Sequence, residues 1–428
     1  MIIHVVQSGD TIQSIAEFYG ITVEMLIRDN GLQAFATLVV GQCIVITYPE
    51  VIYVVQEGDS ISGIASLHNV SEMQLLMNNP HLAGRDELEP GEILVVSYNK
   101  SGRITTHGNT YAYINPETLR KTLPYLTYLS ILNYTATNEG EIIIFYDDTE
   151  IIQLAREYKV VPLLLLTTLS LQGDANIGIA YDLLLNADYQ SRQIDNLLMI
   201  LRTKGYSGVN LSIEYINVSN IQLYEAYITN ISQSLSQEGF LVFVTINPNI
   251  SITNNEIRFA QIDYTLLDNT SYNIIFMTYE WAKNTNPPGP ISSIKNVDFF
   301  LSYLSQSIST EKVIIGLATI GYDWELPFYL DISSVSSLTL ERVIDLAREE
   351  GAEILFDEVS QTPYFRYIST DNTKQVAHIV WFIDARSINA LLDLGVKYNL
   401  QGVSIWNITI YNPQLWLIIN SQYEIMKF

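Results

Sequence analysis

The sequence predicts an α/β chain: a (β/α)8 TIM barrel with a small α+β insertion, preceded by two small βααβ domains. Three observations predict it. A stretch near the start of the chain occurs twice. The remainder holds eight short apolar runs separated by amphipathic stretches. The gap between the seventh and eighth runs is the longest, and it contains strand-like pieces of its own.

The repeat begins as HVVQSGD at 4–10 and returns as YVVQEGD at 53–59, and each copy closes with a glycine before an apolar strand, at Gly41 and Gly91. The offset is 49 residues at the start and 50 at the end, so the second copy has gained one residue. Each unit reads as a short alternating strand, a Gly-Asp turn, a helix capped by Thr11 or Ser60, a second short helix and a returning strand. The units occupy 1–48 and 49–98. They are too small to rest on a large core of their own.

The polar segment 99–108 reads as a linker, and the barrel follows over 109–428. Its strands are expected at 111–114, 128–134, 160–166, 208–213, 241–246, 274–279, 313–317 and 402–406. Most are continuous apolar runs, as a parallel sheet covered on both faces requires. Helices are expected between them, among others at 149–158, 191–204, 221–238 and 387–398. Residues 319–382 form the insertion, which walls one side of the cleft.

Bulk properties exclude several classes of function. The net charge is −24, which disfavours nucleic acid and anionic membrane surfaces as partners. Cys43 is the sole cysteine and lies in an apolar run, so it reads as a buried structural thiol, not half of a disulfide. No apolar stretch approaches the roughly 20 residues that span a bilayer. The start, MIIHVV, lacks the basic region and cleavage site of a secretory signal. No metal or cofactor is expected, because none of the five histidines joins a ligand-like cluster.

Chemistry in such a barrel sits at the C-terminal strand ends. The fourth strand ends GVNLSIEY, and alternation puts Asn210, Ser212 and Glu214 on the inward face. A carboxylate there is costly unless it has work to do, and desolvation raises its pKa toward that of a general acid. The sixth strand ends MTYEW (Tyr279, Glu280, Trp281), the seventh runs into GYDW (Tyr322, Asp323, Trp324), and the eighth ends at Trp406. Aromatic rings at three strand ends suit the apolar faces of sugar rings, although any single one also serves as core.

These features carry two resemblances. In length, GD(T/S) turn, IA pair and closing strand, the repeat resembles the LysM module. That resemblance implies a glycan-binding groove at Gly9, Asp10, Thr11, Ile12, Asp29 and Asn30, and at Gly58, Asp59, Ser60, Ile61, Asn78, Asn79 and Pro80. From about residue 109 the chain resembles glycoside hydrolase family 18, through GVNLSIEY, MTYEW, IGYDWELP, VWFIDARS and GVSIW. Together they are similar to the spore cortex-lytic N-acetylglucosaminidases. The resemblance implies hydrolysis of peptidoglycan with retention and without an enzyme nucleophile, the substrate's own acetamido oxygen attacking the anomeric carbon. Glu214 would be acid and base, Tyr279 would hold the acetamido group, and Trp406 would floor the −1 sugar. Asn210, Glu280, Trp281, Tyr322 and Asp323 would line the cleft. It also implies a place at the coat–cortex boundary of a spore, assembled from the mother-cell cytoplasm, with coat proteins as further partners.

The family signature DxxDxDxE reads here Ser207, Asn210, Ser212 and Glu214. A neutral Ser212 cannot offer the charge that an aspartate gives the oxazolinium ion, and Ile383 stands where relatives tend to carry Glu. The departure sets a second reading beside the first: a degenerate barrel that binds glycan or builds the spore coat.

Overall fold

The computed structural model describes residues 1–428 except 86, 169–176, 214–215, 249, 254–255, 269–270, 279–286, 330–331 and 372–373. Eight parallel strands close the barrel: β1 (Gly102–Tyr111), β2 (Tyr128–Ala136), β3 (Val161–Thr167), β4 (Gly208–Ile213), β5 (Leu241–Ile246), β6 (Asn273–Phe276), β7 (Val313–Ala318) and β8 (Gly402–Trp406). They are hydrogen-bonded in sequence order, and β8 returns to β1 with Trp406 beside Asn109. Helices cover the outside. A representative one, Ala187–Lys204, starts where the Asn186 side chain accepts from the Asp188 and Tyr189 amides and stops at Gly205 in the left-handed region.

Seven strands coincide with the apolar runs. The first does not, and the 99–108 linker is corrected with it: ten residues from Gly102 form β1. The segment is polar because its side chains bond to neighbouring elements, His107 and Asn109 inside the barrel and Thr106 to the Tyr125 carbonyl. Thr106, His107, Asn109 and Thr110 are all buried. Buried polar groups survive when they are paired, and these are. Polarity alone therefore mimicked a solvated linker.

The barrel interior is layered. Tyr128, Leu163, Phe243, Ile275 and Ile314 form an apolar plug toward its N-terminal end. His107 lies on that plug, its ring stacked over Phe243 at 6.1 Å. Between β7 and β8, the strands Ile320–Leu326, Val335–Thr339, Leu355–Asp357, Thr362–Asp371 and Lys374–Trp381 form an antiparallel sheet, with helix Leu340–Glu349 packed on one face.

The two N-terminal units are each a two-stranded sheet with two helices. They are not beads on a string. Cys43 and Val45 of the first and Met77 of the second belong to the same buried cluster as the barrel's outer core. Gln414 donates to the Cys43 carbonyl at 2.8 Å, Arg348 to the Thr37 carbonyl at 2.8 Å, and Tyr125 to the Met77 carbonyl at 2.6 Å. The Cys43 thiol is buried and donates to Asp384, the residue that caps helix Ala385–Lys397.

Gly41 has φ +86°, and a Cβ added there would collide with the Ile354 carbonyl. Gly41→Ala should lower stability by at least about 1–2 kcal/mol through the backbone alone, and more through the collision. The seam should loosen, and tryptic cleavage at Arg348, now held by Thr37, should quicken. An unchanged melting temperature and cleavage rate would contradict this account of the docking.

Candidate active site

The C-terminal end of β4 supplies the centre of the site. Leu211 and Ile213 pack outward into the helix-facing core, which leaves Asn210 and Ser212 on the inward face. Asn210 is fully buried, donates to Ser130 Oγ at 3.1 Å, and accepts from Thr245 Oγ1 at 2.8 Å. Ser130 in turn meets His107 Nε2 at 2.7 Å, and His107 Nδ1 meets Ser404 Oγ at 2.7 Å. Asn109 donates to Ser404 Oγ at 3.0 Å. The chain of bonds is satisfied by a neutral imidazole, one ring nitrogen donating to a serine hydroxyl and the other accepting from one. Burial alone pushes the His107 pKa down to about 3, so it stays neutral at working pH. Five strands, β1, β2, β4, β5 and β8, thus meet in one uncharged network under the mouth of the barrel. Its His107, Asn109, Ser130, Thr245 and Ser404 were not expected at the site: the sequence placed His107 in the linker, Asn109 ahead of the first expected strand, and the others within strands.

At the end of β8, Trp406 is half-buried and joined to Asn407 by a cis peptide. Its ring meets Tyr111 edge-on at 6.3 Å. Tyr111 stacks on Tyr113 at 5.1 Å, and Tyr113 meets Tyr146 at 5.8 Å. Tyr113 and Tyr146 are exposed, so an aromatic row leads from Trp406 across the ends of β1 and β2. Only Trp406 of this row was legible from strand-end aromatics.

The remaining expectations divide. Glu214, Tyr279, Glu280 and Trp281 lie outside the described residues. Tyr322 is half-buried beside Trp324, which is fully buried. Asp323 is a correction: alternation turns it to the opposite face from Trp324. There it accepts from Tyr367 Oη at 2.6 Å and pairs with His378 Nδ1 at 3.0 Å, inside the insertion and not in the cleft. Ile383 is buried in the outer core. Among the described residues no group of three His, Cys, Asp or Glu side chains converges as metal ligands.

In the N-terminal units the glycines of the turn, Gly9 and Gly58, have φ of +94° and +84°. Asp10 accepts from the Gln7 amide at 2.7 Å and pairs with His4, and Asp59 accepts from the Gln56 amide at 2.7 Å. Thr11 and Ser60 cap their helices. Ile12 is buried, Ile61 packs partly against the second unit's core, and Pro80 opens a short 3-10 turn. Asp29 is paired with Arg28 at 3.0 Å, and burial raises its pKa. Asn30, Asn78 and Asn79, expected at a groove, are turned inward. Asn30 and Asn79 each bracket the last strand of their unit through its carbonyl and amide, and Asn78 bonds Val96 and Asn420. An amide has one acceptor and one donor group, and here both are used for folding.

Comparison with known proteins agrees with this architecture. Residues 165–410 match the model of glycosyl hydrolases family 18, and residues 4–47 and 53–97 match the LysM domain. The chain is 28% identical to a cortical fragment-lytic enzyme of Bacillus cereus, over 99% of this chain and 98% of that protein. It is 28% identical to a cortical fragment-lytic enzyme of Bacillus subtilis (strain 168), over 100% and 99%. The crystal structure of the Bacillus cereus spore cortex-lytic enzyme SleL superimposes with a TM-score of 0.80, covering 100% of this chain and 98% of that one at 28% identity. A chitinase from Chromobacterium violaceum shares the barrel alone, with a TM-score of 0.66 at 19% identity over 74% of this chain and 98% of its own. The chain is thus a glycosidase that belongs to glycosyl hydrolases family 18 and carries two LysM domains ahead of its barrel.

Proposed function

We propose that this protein binds spore-cortex peptidoglycan through its LysM domains and hydrolyses N-acetylglucosaminyl bonds in the barrel with retention. The observation that carries the reading is the inward polar network beneath the β4 end, together with similarity to cortical fragment-lytic enzymes over the whole chain. Glu214 protonates the leaving glycosidic oxygen as the C–O bond breaks. The substrate's acetamido oxygen closes on the anomeric carbon, giving an oxazolinium ion. Water then opens that ion, its proton passing to the Glu214 carboxylate. Tyr279 holds the acetamido group, Trp406 floors the −1 sugar, and Asn210 sets the β4 end. Tyr322, Glu280 and Trp281 complete the cleft wall. On the LysM domains, Gly9, Asp10, Thr11, Gly58, Asp59 and Ser60 shape the glycan groove, and the asparagines hold it open from behind. The protein acts at the coat–cortex boundary, beside coat proteins, after synthesis in the mother cell.

The test is product analysis. Purified protein on cortex fragments should release muropeptides with N-acetylglucosamine reducing ends. Binding without release would favour a glycan-binding spore protein instead. Ser212 gives a graded check. An aspartate there adds charge to the bond facing the oxazolinium ion, and charge-assisted bonds are roughly twice as strong as neutral ones. Ser212→Asp should therefore raise kcat about tenfold, the equivalent of about 1.4 kcal/mol. No change, with the fold intact, would remove Ser212 from the reaction.

A further inference from the structure

Three adjacent strands of the insertion set an aspartate, a histidine and a serine in line. Asp323 lies on Ile320–Leu326, His378 on Lys374–Trp381 and Ser369 on Thr362–Asp371, with the histidine's strand in the middle. Asp323 pairs across with Val380 and Ser369 with Val376, the residues two before and two after His378 along its strand. Period-two alternation therefore puts all three side chains on one face of the sheet. Helix Leu340–Glu349 packs on that same face, through Phe365 and Val380.

The bonds run in one order. His378 Nδ1 meets Asp323 Oδ1 at 3.0 Å, and His378 Nε2 meets Ser369 Oγ at 3.0 Å. Tyr367 Oη donates to the other oxygen, Asp323 Oδ2, at 2.6 Å, and its ring stacks on the imidazole at 4.5 Å. A carboxylate can only accept, so in the neutral ring Nδ1 carries the hydrogen. Nε2 is then a bare lone pair, and the Ser369 hydroxyl donates to it. The Val376 carbonyl also lies within reach of that hydroxyl, but at 3.5 Å it is the more distant acceptor. Both links fall within the hydrogen-bond range that activates a serine nucleophile through an oriented base. The side chains of Asp323 and His378 are only 11% and 12% exposed, which protects the pair from competing water. Ser369 is half-buried, in a stretch where Ile368 and Thr370 are exposed.

We propose that Ser369 and His378, oriented by Asp323, form a second catalytic centre that hydrolyses carboxylic esters. Ser369 Oγ bonds to the ester carbonyl carbon while its proton passes to His378 Nε2. The bond from that carbon to the alcohol oxygen breaks, and the alcohol leaves with the proton from Nε2. Water then attacks the acyl-serine and gives a proton to Nε2. The carbon–Oγ bond breaks, the carboxylic acid departs, and the proton returns to Ser369. Asp323 keeps its charge throughout and stabilises the imidazolium in both halves. An ester is the fitting class because its carbonyl lacks the resonance that makes an amide resist attack. The glycosidase chemistry uses none of these residues, so this centre stands or falls apart from it.

The experiment uses the full chain, a fluorophosphonate probe and p-nitrophenyl acetate. The probe should label the wild type at Ser369, located by mass spectrometry of the digested protein. Ser369→Ala and His378→Ala should each lower ester turnover by about 10²-fold or more. Asp323→Asn should lower it comparably, in kcat and not in KM, because an amide can donate to Nδ1 and so move the ring hydrogen to Nε2. Thr370→Ala, an exposed neighbour, is the control and should keep the wild-type rate. Wild-type protein left unlabelled at Ser369, or ester turnover unchanged in Ser369→Ala, would overturn the proposal. Labelling is read on the wild type, so it decides the matter even should a variant fail to fold.

Discussion

Glu214→Gln should abolish cleavage while leaving glycan binding intact, with a loss of about 10²–10⁴ in kcat. The substitution keeps the shape and removes the proton. In the proposed mechanism the substrate supplies the nucleophile, so the protein has one transfer to perform: a proton to the leaving oxygen, then one back from water. No neighbouring carboxylate on β4 can take over, because positions 207, 210 and 212 are Ser, Asn and Ser. The loss should therefore be nearly complete, and it should appear in kcat with KM for the strand unchanged. Initial rates of reducing-end release measure the first, and co-sedimentation with cortex fragments the second. A variant that kept more than about a tenth of the rate would show that proton transfer at Glu214 is not what limits the reaction.

How much of this could be read from the sequence depended on where a residue's partners lie. Strands β2 to β8 were legible because a parallel strand covered on both faces must be apolar along its length. The inward face of β4 was legible because period-two alternation sets Asn210 and Ser212 opposite Leu211 and Ile213. β1 was not, since His107 and Asn109 are polar for a reason that resides on β2 and β8, and Thr106 for one that resides at Tyr125, all distant in sequence. The same holds for the asparagines of the LysM domains. Asn30 sits at a helix end, where a sequence reading expects a cap or a ligand, yet its partner is the Val45 backbone. The docking of those domains was harder to read. Much of it runs through the carbonyls of Thr37, Val40, Cys43 and Met77, and a backbone carbonyl is the same in every residue.

That dependence on distant partners also sets the second large effect, which concerns stability rather than rate. His107 is held neutral in the folded barrel, its pKa pushed by burial from 6.5 down to about 3. In the unfolded chain it titrates near 6.5. Below that pH the unfolded state takes up a proton that the folded state refuses. The stabilisation is therefore complete above about pH 6.5 and is lost as pH falls toward about 3, at about 1.4 kcal/mol per pH unit and roughly 4–5 kcal/mol in all. His81, pushed down to about 4 mainly by burial, adds a loss of the same sign over a narrower range. His107→Gln isolates the first contribution, because an amide offers a donor and an acceptor to Ser130 and Ser404 but does not titrate. At pH 8 the variant should be less stable by about 1–3 kcal/mol, for imperfect bonds in a buried site. Toward pH 4 its stability should fall more gently than the wild type's, until the two curves meet and cross. Urea midpoints measured across that range decide the matter. Parallel curves would mean that His107 is protonated in the folded barrel. The Asn109–Ser404–His107–Ser130–Asn210 chain would then have to carry a charge beneath the active site, and the neutral support inferred for the β4 end would be wrong.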